Sequence, residues 1–558
     1  MTVQDVSHSQ GPTDYPILNE TIGANFRAIA QRFPDSNAVI EAATDRRFTY
    51  REMDEATDAI AKSLMALGLE RGDRLGIWSP NCHEWTFLQY ATAKAGVIMV
   101  NVNPAYRQHE LNFVVKQNGM RALVVAPAET QSDYPAMARV AREEAEDLRD
   151  LIFLNNDAAA PLESAPSGEH DLAWGNFLSL GAYVSDEELA AREASLSPDD
   201  AINLQYTSGT TGFPKGATLT HKNLLNNGFH IGEILNYTEN DVVVIAVPFF
   251  HCFGMVIGNI AALSHGSATV LPARGFKPDL ALEAVQKYGG TSLYGVPTMF
   301  IAELALPNFK DYDLSTLRTG VMAGSTCPVE VMKRVISEMN MHEVAICYGM
   351  TETSPVSTMT RLDDSLERRT QTVGRAMPQL EIKIVDAEGN VVPIGAAGEM
   401  CTKGYSVMSG YWGEPDKTAL AIDEDGWMHT GDLASMDEDG YLRIEGRIKD
   451  LIIRGGENIS PREVEEFLYT HPDIQDVQII GVPDEKYGEE LMACVILKDG
   501  AQPVTAEALK DFCAGKIAHY KVPKYVQIRE SFPMTISGKI RKIELRDEAA
   551  KELGLIKN

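Results

Sequence analysis

The rhythm of apolar residues between positions 49 and 102 narrows what this chain can fold into. TYREMDEATDAIAKSLMALGL (49–69) carries its apolar residues at helical spacing and closes around a glycine, and GDRLGIWSP follows as a short strand with turn residues behind it. EWTFLQYATAKAGV is again helical and leads into VIMVNV. Helix, strand, helix, strand in this order predicts helices layered on a parallel sheet. With 558 residues, the chain has room for three or four ordinary units or two large ones. The apolar fraction of 44% supplies a sizeable core, so wholesale disorder is excluded.

Acidic residues outnumber basic ones by 79 to 50, a net charge of −29. Such a field repels nucleic-acid backbones and anionic lipid surfaces, so no nucleic-acid partner is expected. A small polyanion binds only where local cations and backbone N–H groups outweigh the global charge. Residues 242–273 contain no Lys, Arg, Asp or Glu and are long enough to cross a bilayer. Pro248, His251, Asn259, Ser264 and His265 interrupt that run, which therefore reads as a buried strand, a loop and a buried helix; no integral membrane segment is expected. The seven cysteines form no CxxC pair, and no Lys or Arg precedes Arg27. Together these features predict a reducing, cytoplasmic location without an export or transit signal.

Further along, NNDAAAPLESAPSGEHD (155–171) reads as a loop or insertion. From about 380, short alternating strands with glycine-rich turns suggest an antiparallel, barrel-like unit. Residues 450–558 hold a strand, a helix from Ser460 with Pro461 in its first turn, more strands and a helix near 505–518, enough for a small α+β domain. Ser460 and Glu463 have capping-box spacing.

The strongest local signal for chemistry is AINLQYTSGTTGFPKGATLTH (201–221). An apolar strand runs into Thr207, Ser208, Gly209, Thr210, Thr211, Gly212, Phe213, Pro214 and Lys215, and a second strand starts at Gly216. The two glycines permit a tight turn that exposes N–H donors, and the hydroxyls and ammonium add donors suited to phosphate oxygens. It is not the common P-loop, which needs Gly directly before Lys and Ser or Thr after it. Taken alone, a mobile Ser/Thr/Gly hairpin explains this stretch equally well.

Further motifs follow in order: PFFHCFG with His251; MAGSTCP with Gly324, Ser325 and Thr326; YGMTETSPV with Tyr348, Gly349, Thr351 and Glu352; DGWMHTGDLA with Asp432; GYLRIEGRIKDLIIRGGENISPREVEEFL with Arg447, Lys449, Arg454, Gly455, Gly456 and Glu457; and PMTISGKIRK with Lys539. This ordered set resembles the adenylate-forming superfamily, within it the acyl-CoA synthetases of the fatty-acid-activating group, and among those the medium-chain fatty acyl-CoA ligases. The similarity runs over about residues 20–550.

The resemblance implies a large N-terminal domain (1–448) of layered α/β subdomains with a β-barrel-like subdomain, and a small mobile α+β domain (449–558) that rotates about Lys449. It implies ATP-dependent activation of a fatty acid to an acyl-adenylate with release of pyrophosphate, followed by transfer to CoA. Thr207–Lys215 would hold the β- and γ-phosphates, Thr351 the α-phosphate, and Glu352 with Thr207 would ligate Mg²⁺. Adenine would lie against Tyr348, Gly349 and the Gly324–Thr326 turn, Asp432 would accept from the ribose hydroxyls, and Arg447 would contact ribose or phosphate. Lys539 would stabilise charge on the phosphoryl oxygens in the first half-reaction. Residues 516–546, eight Lys or Arg against two Glu, form a basic island that suits that task. Arg454, Gly455, Gly456 and Glu457 would help line a CoA channel.

An apolar acyl pocket is expected beside Phe249, His251, Phe253, Met255 and Val256, with Met322 and Met350 opposite and His251 near the carboxylate. Loading of a carrier-protein phosphopantetheine, activation of aryl acids, and a catalytically silent nucleotide-binding protein are the alternatives; a homodimer stays open.

Overall fold

The computed structural model describes residues 6–127, 132–154, 170–207, 214–324, 327–455, 457–484, 486–534 and 540–555. The expected sites Ser208, Gly209, Thr210, Thr211, Gly212, Ser325, Thr326, Gly456 and Lys539 lie outside them, as does most of the 155–171 stretch. The chain forms two compact units: residues 9–382 with 402–428, and residues 1–8 with 383–401 and 429–558.

Among the described residues, the first unit contains an eight-stranded and a nine-stranded sheet. The eight-stranded sheet runs Gly410–Tyr411, Lys215–Thr220, Ala201–Thr207, Ile98–Asn101, Arg74–Trp78, Ala122–Val125, Asp150–Phe153, Asp171–Ala173. Its members from Ala201–Thr207 onward pair in parallel, and Lys215–Thr220 returns antiparallel. In the nine-stranded sheet, Asn37–Glu41, Ala268–Leu271, Val242–Ile245, Ser292–Gly295, Thr319–Met322 and Glu343–Gly349 run parallel in that spatial order. The alternating rhythm therefore produces the layered α/β architecture it predicts.

The uncharged stretch 242–273 folds as a buried strand (Val242–Ile245), a π-helix (Phe253–Ile260) running into Ala261–Leu263, and a second buried strand (Ala268–Leu271). Among the described residues, no helix is long and apolar enough to cross a membrane. The helix expected over 49–69 spans Tyr50–Ala66; Thr49 accepts from the Glu52 amide while Glu52 accepts from the Thr49 amide.

Helices Ile22–Arg32, Tyr50–Ala66 and His83–Ala95 share an interior ion network. Every residue of His83–Ala95 is buried, Lys94 included. The Lys94 ammonium donates to Asp54 Oδ1 and Asp58 Oδ1, each at 2.6 Å, and to Thr57 Oγ1 at 2.8 Å. Arg27 reaches both carboxylates and Glu193 from the adjoining helix. Burial works to raise the Asp58 pKa, but the Arg27 hydrogen bond and the Lys94 charge outweigh it and hold the carboxyl below its usual range.

A five-stranded sheet of His8–Gln10, Leu380–Val385, Gly398–Gly404, Met428–Met436 and Leu442–Arg447 matches the barrel-like unit expected from 380, with the last two strands antiparallel. After it come the hairpin Ile452–Arg454/Glu457–Ile459, helix Pro461–Leu468, the antiparallel pair Ile474–Asp484/Gly488–Leu497, helix Ala506–Cys513, the parallel strand Tyr525–Ile528 and helix Lys542–Glu552. Their core is built on Ile452, Val464, Leu468, Ile479, Leu491 and Leu509. Two local expectations change. The helix near 505–518 stops at Cys513 because Ala514 turns extended and Gly515 takes a positive φ of 72°. Ser460 starts its helix without a side-chain cap: its hydroxyl donates to the Glu445 carbonyl instead, and Glu463 pairs with Lys521.

Lys94→Met keeps the bulk of the side chain but strands two carboxylates beside a single Arg27. Denaturant unfolding of this variant is expected to show a loss of about 3 to 5 kcal/mol; an unchanged midpoint would show that the network carries no stability.

Candidate active site

In parallel sheets the loops after the C-terminal strand ends form the natural ligand edge. The nine-stranded sheet places Pro248–Cys252 after Val242–Ile245, Gly324 after Thr319–Met322, and Tyr348 to Glu352 at and beyond the end of Glu343–Gly349. Met322 pairs with Ile346, so Gly324 and Tyr348 emerge side by side. Gly324 has a φ of 92°, which favours glycine. A Cβ on Gly349 would fall 1.8 Å from the Pro355 carbonyl oxygen, so only glycine fits there.

The phosphate-loop candidate leaves from the matching edge of the eight-stranded sheet. Thr207 and Lys215 are direct partners across the antiparallel pair, and Gly216 faces Tyr206. The described ends of the loop thus stand next to each other as in a hairpin. Tyr206 is braced by Gln117 and by Asn118, whose amide donates to the phenol at 3.2 Å.

Tyr411 links the two motifs. Strand Gly410–Tyr411 pairs with Ala217 and Thr218. The Lys215 ammonium sits 4.9 Å over the Tyr411 ring, and the Tyr411 hydroxyl donates to Glu352 Oε1 at 2.8 Å. Glu352 is only 5% exposed and lies on the short 3₁₀ turn Thr351–Thr353. Burial first, then the Glu352 charge and hydrogen bond, push the Tyr411 phenol well above its ordinary pKa, so it remains a donor at neutral pH. Sequence reasoning missed Tyr411; Gly-Tyr-Trp between turn residues carries no chemical signature of its own.

The His251 segment closes on the same place. The Cys252 thiol donates to Gln205 Oε1 at 2.9 Å, joining it to the strand that ends at Thr207. Burial and the nearby Glu352 charge push this thiol up, so it is an inert packing group. His251 is half-buried, and its Nδ1 accepts from the Phe253 amide at 3.2 Å. Phe249, Phe253, Met255 and Val256 share one apolar cluster, against which Met350 packs. Met322 does not join them. Side chains alternate along a strand, so Val321 points into that cluster while Met322 points into the separate one around Phe300 and Met332.

In the other unit, Asp432 and Arg447 are cross-strand partners, with Arg447 Nε 3.1 Å from Asp432 Oδ1; Asp432 is buried and Arg447 half exposed. The pair sets a carboxylate acceptor beside a cation. Lys449 lies on the 3₁₀ turn Ile448–Asp450. Arg454 grips both Glu490 oxygens at 2.8 Å and covers the Tyr487 ring, so its fork is held by the fold. Gly455 turns the hairpin at a φ of 60°, and Glu457 pairs with Arg454 across it.

Residues 26–412 match the AMP-binding enzyme family, and residues 463–539 match the AMP-binding enzyme C-terminal domain. The chain is 47% identical over 553 residues to the protein YngI of Bacillus subtilis (strain 168), covering 97% of this chain and 99% of that one. It is 42% identical over 570 residues to the mitochondrial medium-chain acyl-CoA ligase ACSF2 of Rattus norvegicus, covering 100% and 92%. Among solved structures, ATP-bound MatB from Rhodopseudomonas palustris superposes with a TM-score of 0.81 at 27% identity, covering 96% and 100%. By family match, by identity over almost its whole length and by fold, the chain belongs to the AMP-binding enzymes.

Proposed function

We propose that this chain is an AMP-forming acyl-CoA synthetase acting on a fatty acid, with medium-chain acids as the substrate class. The observation that carries this reading is the Lys215–Tyr411–Glu352 connection: a cation leaving the phosphate-loop candidate and a buried carboxylate held on one tyrosine. The medium-chain assignment rests on the kinship with ACSF2. The sparse cysteines, none in a CxxC pair, fit a reducing, cytoplasmic setting.

In the first half-reaction a fatty-acid oxygen attacks the α-phosphorus of ATP, the bond to the β-phosphate oxygen breaks, and pyrophosphate leaves. Thr207, the loop 208–213 and Lys215 would hold the departing phosphates and Thr351 the α-phosphate. Gly324, Tyr348 and Gly349 would face adenine, with Ser325 and Thr326 completing that wall. Asp432 would take the ribose hydroxyls, with Arg447 alongside. The hard oxygens of Glu352 and Thr207 fit Mg²⁺, which when bound supplies charge neutralisation on the phosphates. Lys539 would add its ammonium as charge develops on the phosphoryl oxygens. In the second half-reaction the CoA sulfur attacks the acyl carbonyl and AMP leaves. His251 would meet the acyl carboxylate, with the chain against the cluster of Phe253, Met255 and Val256. Residues 449–558 would rotate about Lys449 between the steps, bringing the hairpin with Arg454, Gly455, Gly456 and Glu457 to the CoA channel.

Pyrophosphate exchange into ATP across a panel of carboxylic acids tests activation and substrate class together. Exchange should peak with medium-chain fatty acids; exchange only with aryl acids, or none with any acid, contradicts the reading. Lys539→Ala should abolish exchange yet still convert supplied acyl-adenylate and CoA to thioester, whereas equal loss of both activities would deny it the assigned role. Tyr411→Phe removes a hydrogen bond to a buried carboxylate, and about 1.5 to 3 kcal/mol corresponds to a fall of about 10- to 160-fold in the exchange rate. A positioning role further requires a raised Mg²⁺ requirement, read from exchange rates over a Mg²⁺ titration. Lys449→Pro is expected to spare exchange and block thioester formation; full thioesterification would eliminate the hinge.

A further inference from the structure

Glu399, Cys401 and His429 are not needed for the chemistry above, yet their donor atoms converge. Glu399 and Cys401 are two apart on strand Gly398–Gly404 and so share a face; His429 lies on the neighbouring strand Met428–Met436. His429 Nδ1 is 2.8 Å from Glu399 Oε2 and 3.5 Å from Cys401 Sγ. One donor atom from each residue lies within 4.8 Å of the other two. Cys401 is fully buried, while the side chains of Glu399 and His429 are 24% and 30% exposed, so one side of the cluster opens to water.

The pattern differs from a nucleophilic triad. There the acid and the thiol engage opposite ring nitrogens, so that a proton passes from one to the other. Here both approach Nδ1, and one nitrogen cannot donate to Glu399 and accept from Cys401 at the same time. Three donors aimed at one point are what a cation needs. We propose that Glu399, Cys401 and His429 form a binding site for a borderline-soft divalent cation of the zinc class, with water as fourth ligand.

A buried sulfur ligand disfavours Mg²⁺ and Ca²⁺, which take oxygen, whereas mixed sulfur, nitrogen and oxygen sets suit zinc. With metal–sulfur and metal–nitrogen bonds of about 2.3 and 2.0 Å in a tetrahedron, sulfur and nitrogen stand about 3.5 Å apart, the spacing found between Cys401 and His429. The Glu399–His429 contact must open by roughly half an ångström, within reach of a carboxylate rotation. Glu399 Oε2 faces the site while Oε1 accepts from the Gly431 amide at 2.9 Å, and Thr430 donates to the Met400 carbonyl at 2.7 Å. The same carboxylate therefore serves the cation and the turn leading into Asp432.

The other histidine–carboxylate cluster, Glu41, His83 and Glu84, offers no sulfur, and its ring is stacked against Phe48 at 4.9 Å. It carries no comparable argument.

The test uses the full-length protein stripped of metal and titrated with Co²⁺, without ATP or acid, so it stands apart from the ligase reading. Intense visible bands of four-coordinate Co²⁺ and a near-ultraviolet thiolate-to-cobalt band are expected, both displaced by Zn²⁺. Cys401→Ser should erase the thiolate band, and Cys401→Ser and His429→Gln should each weaken Zn²⁺ binding at least about tenfold; Cys513→Ser should leave the spectrum intact. Circular dichroism checks that each variant is folded, and if Cys401→Ser is not, His429→Gln reads the same site. A pale six-coordinate spectrum, or a thiolate band that survives Cys401→Ser or is untouched by His429→Gln, overturns the proposal.

Discussion

A carboxylate taken out of water must find donors or a counter-charge, and Glu352 meets that demand through the segment after Tyr405. Tyr411 donates to its Oε1, and the Met408 amide donates to its carbonyl. Ser354, two residues on, donates to the Ser406 carbonyl at 2.6 Å. The same segment also reaches strand Lys215–Thr220, because Ser409 donates to the Thr218 carbonyl and Trp412 to that of Gly216. Residues 406–412 thus lace together two loops that emerge from different sheets. Loss of that lacing would leave the carboxylate and the hairpin each free to wander by more than the fraction of an ångström that phosphoryl chemistry tolerates.

The sheets make such precision attainable. Parallel strands buried on both faces fix their C-terminal ends in a row, and the helices packed on them are tied by polar as well as apolar contacts. Lys94 shows the polar side: a cation without exposure, surrounded by two carboxylates and a hydroxyl, ties its helix to Tyr50–Ala66, and Arg27 on the same carboxylates brings in Ile22–Arg32. An apolar residue there would pack, but it would not select among helix rotations as sharply as fixed donors and acceptors do.

Much of this was legible in the residues. Helical spacing and the closing glycine located the Tyr50–Ala66 helix, and the polar interruptions at Pro248, His251 and Asn259 separated a buried strand–helix pair from a membrane span. The motifs around Thr207, His251, Tyr348 and Glu352 fall along strand ends because strand–loop transitions are where glycine and hydroxyl residues gather. What escaped reading depended on contacts remote in the chain. Tyr411 gains its role from Glu352, 59 positions away. Ser460 has the letters of a capping box, yet a carbonyl at Glu445 competes successfully for its hydroxyl. Met322 looked equivalent to any other apolar residue near the site, because strand register, not composition, decides which way it faces.

That last point reaches beyond a single methionine. Along Thr319–Met322, Val321 and Met322 are neighbours in the chain but belong to different interiors. Substitutions at odd and even positions of this strand are therefore felt by different partners, and a lineage could reshape the side that Val321 faces by drift while the opposite side goes on holding its helices in place. Such a partition offers one physical route by which a common scaffold diversifies in what it accepts without first having to refold.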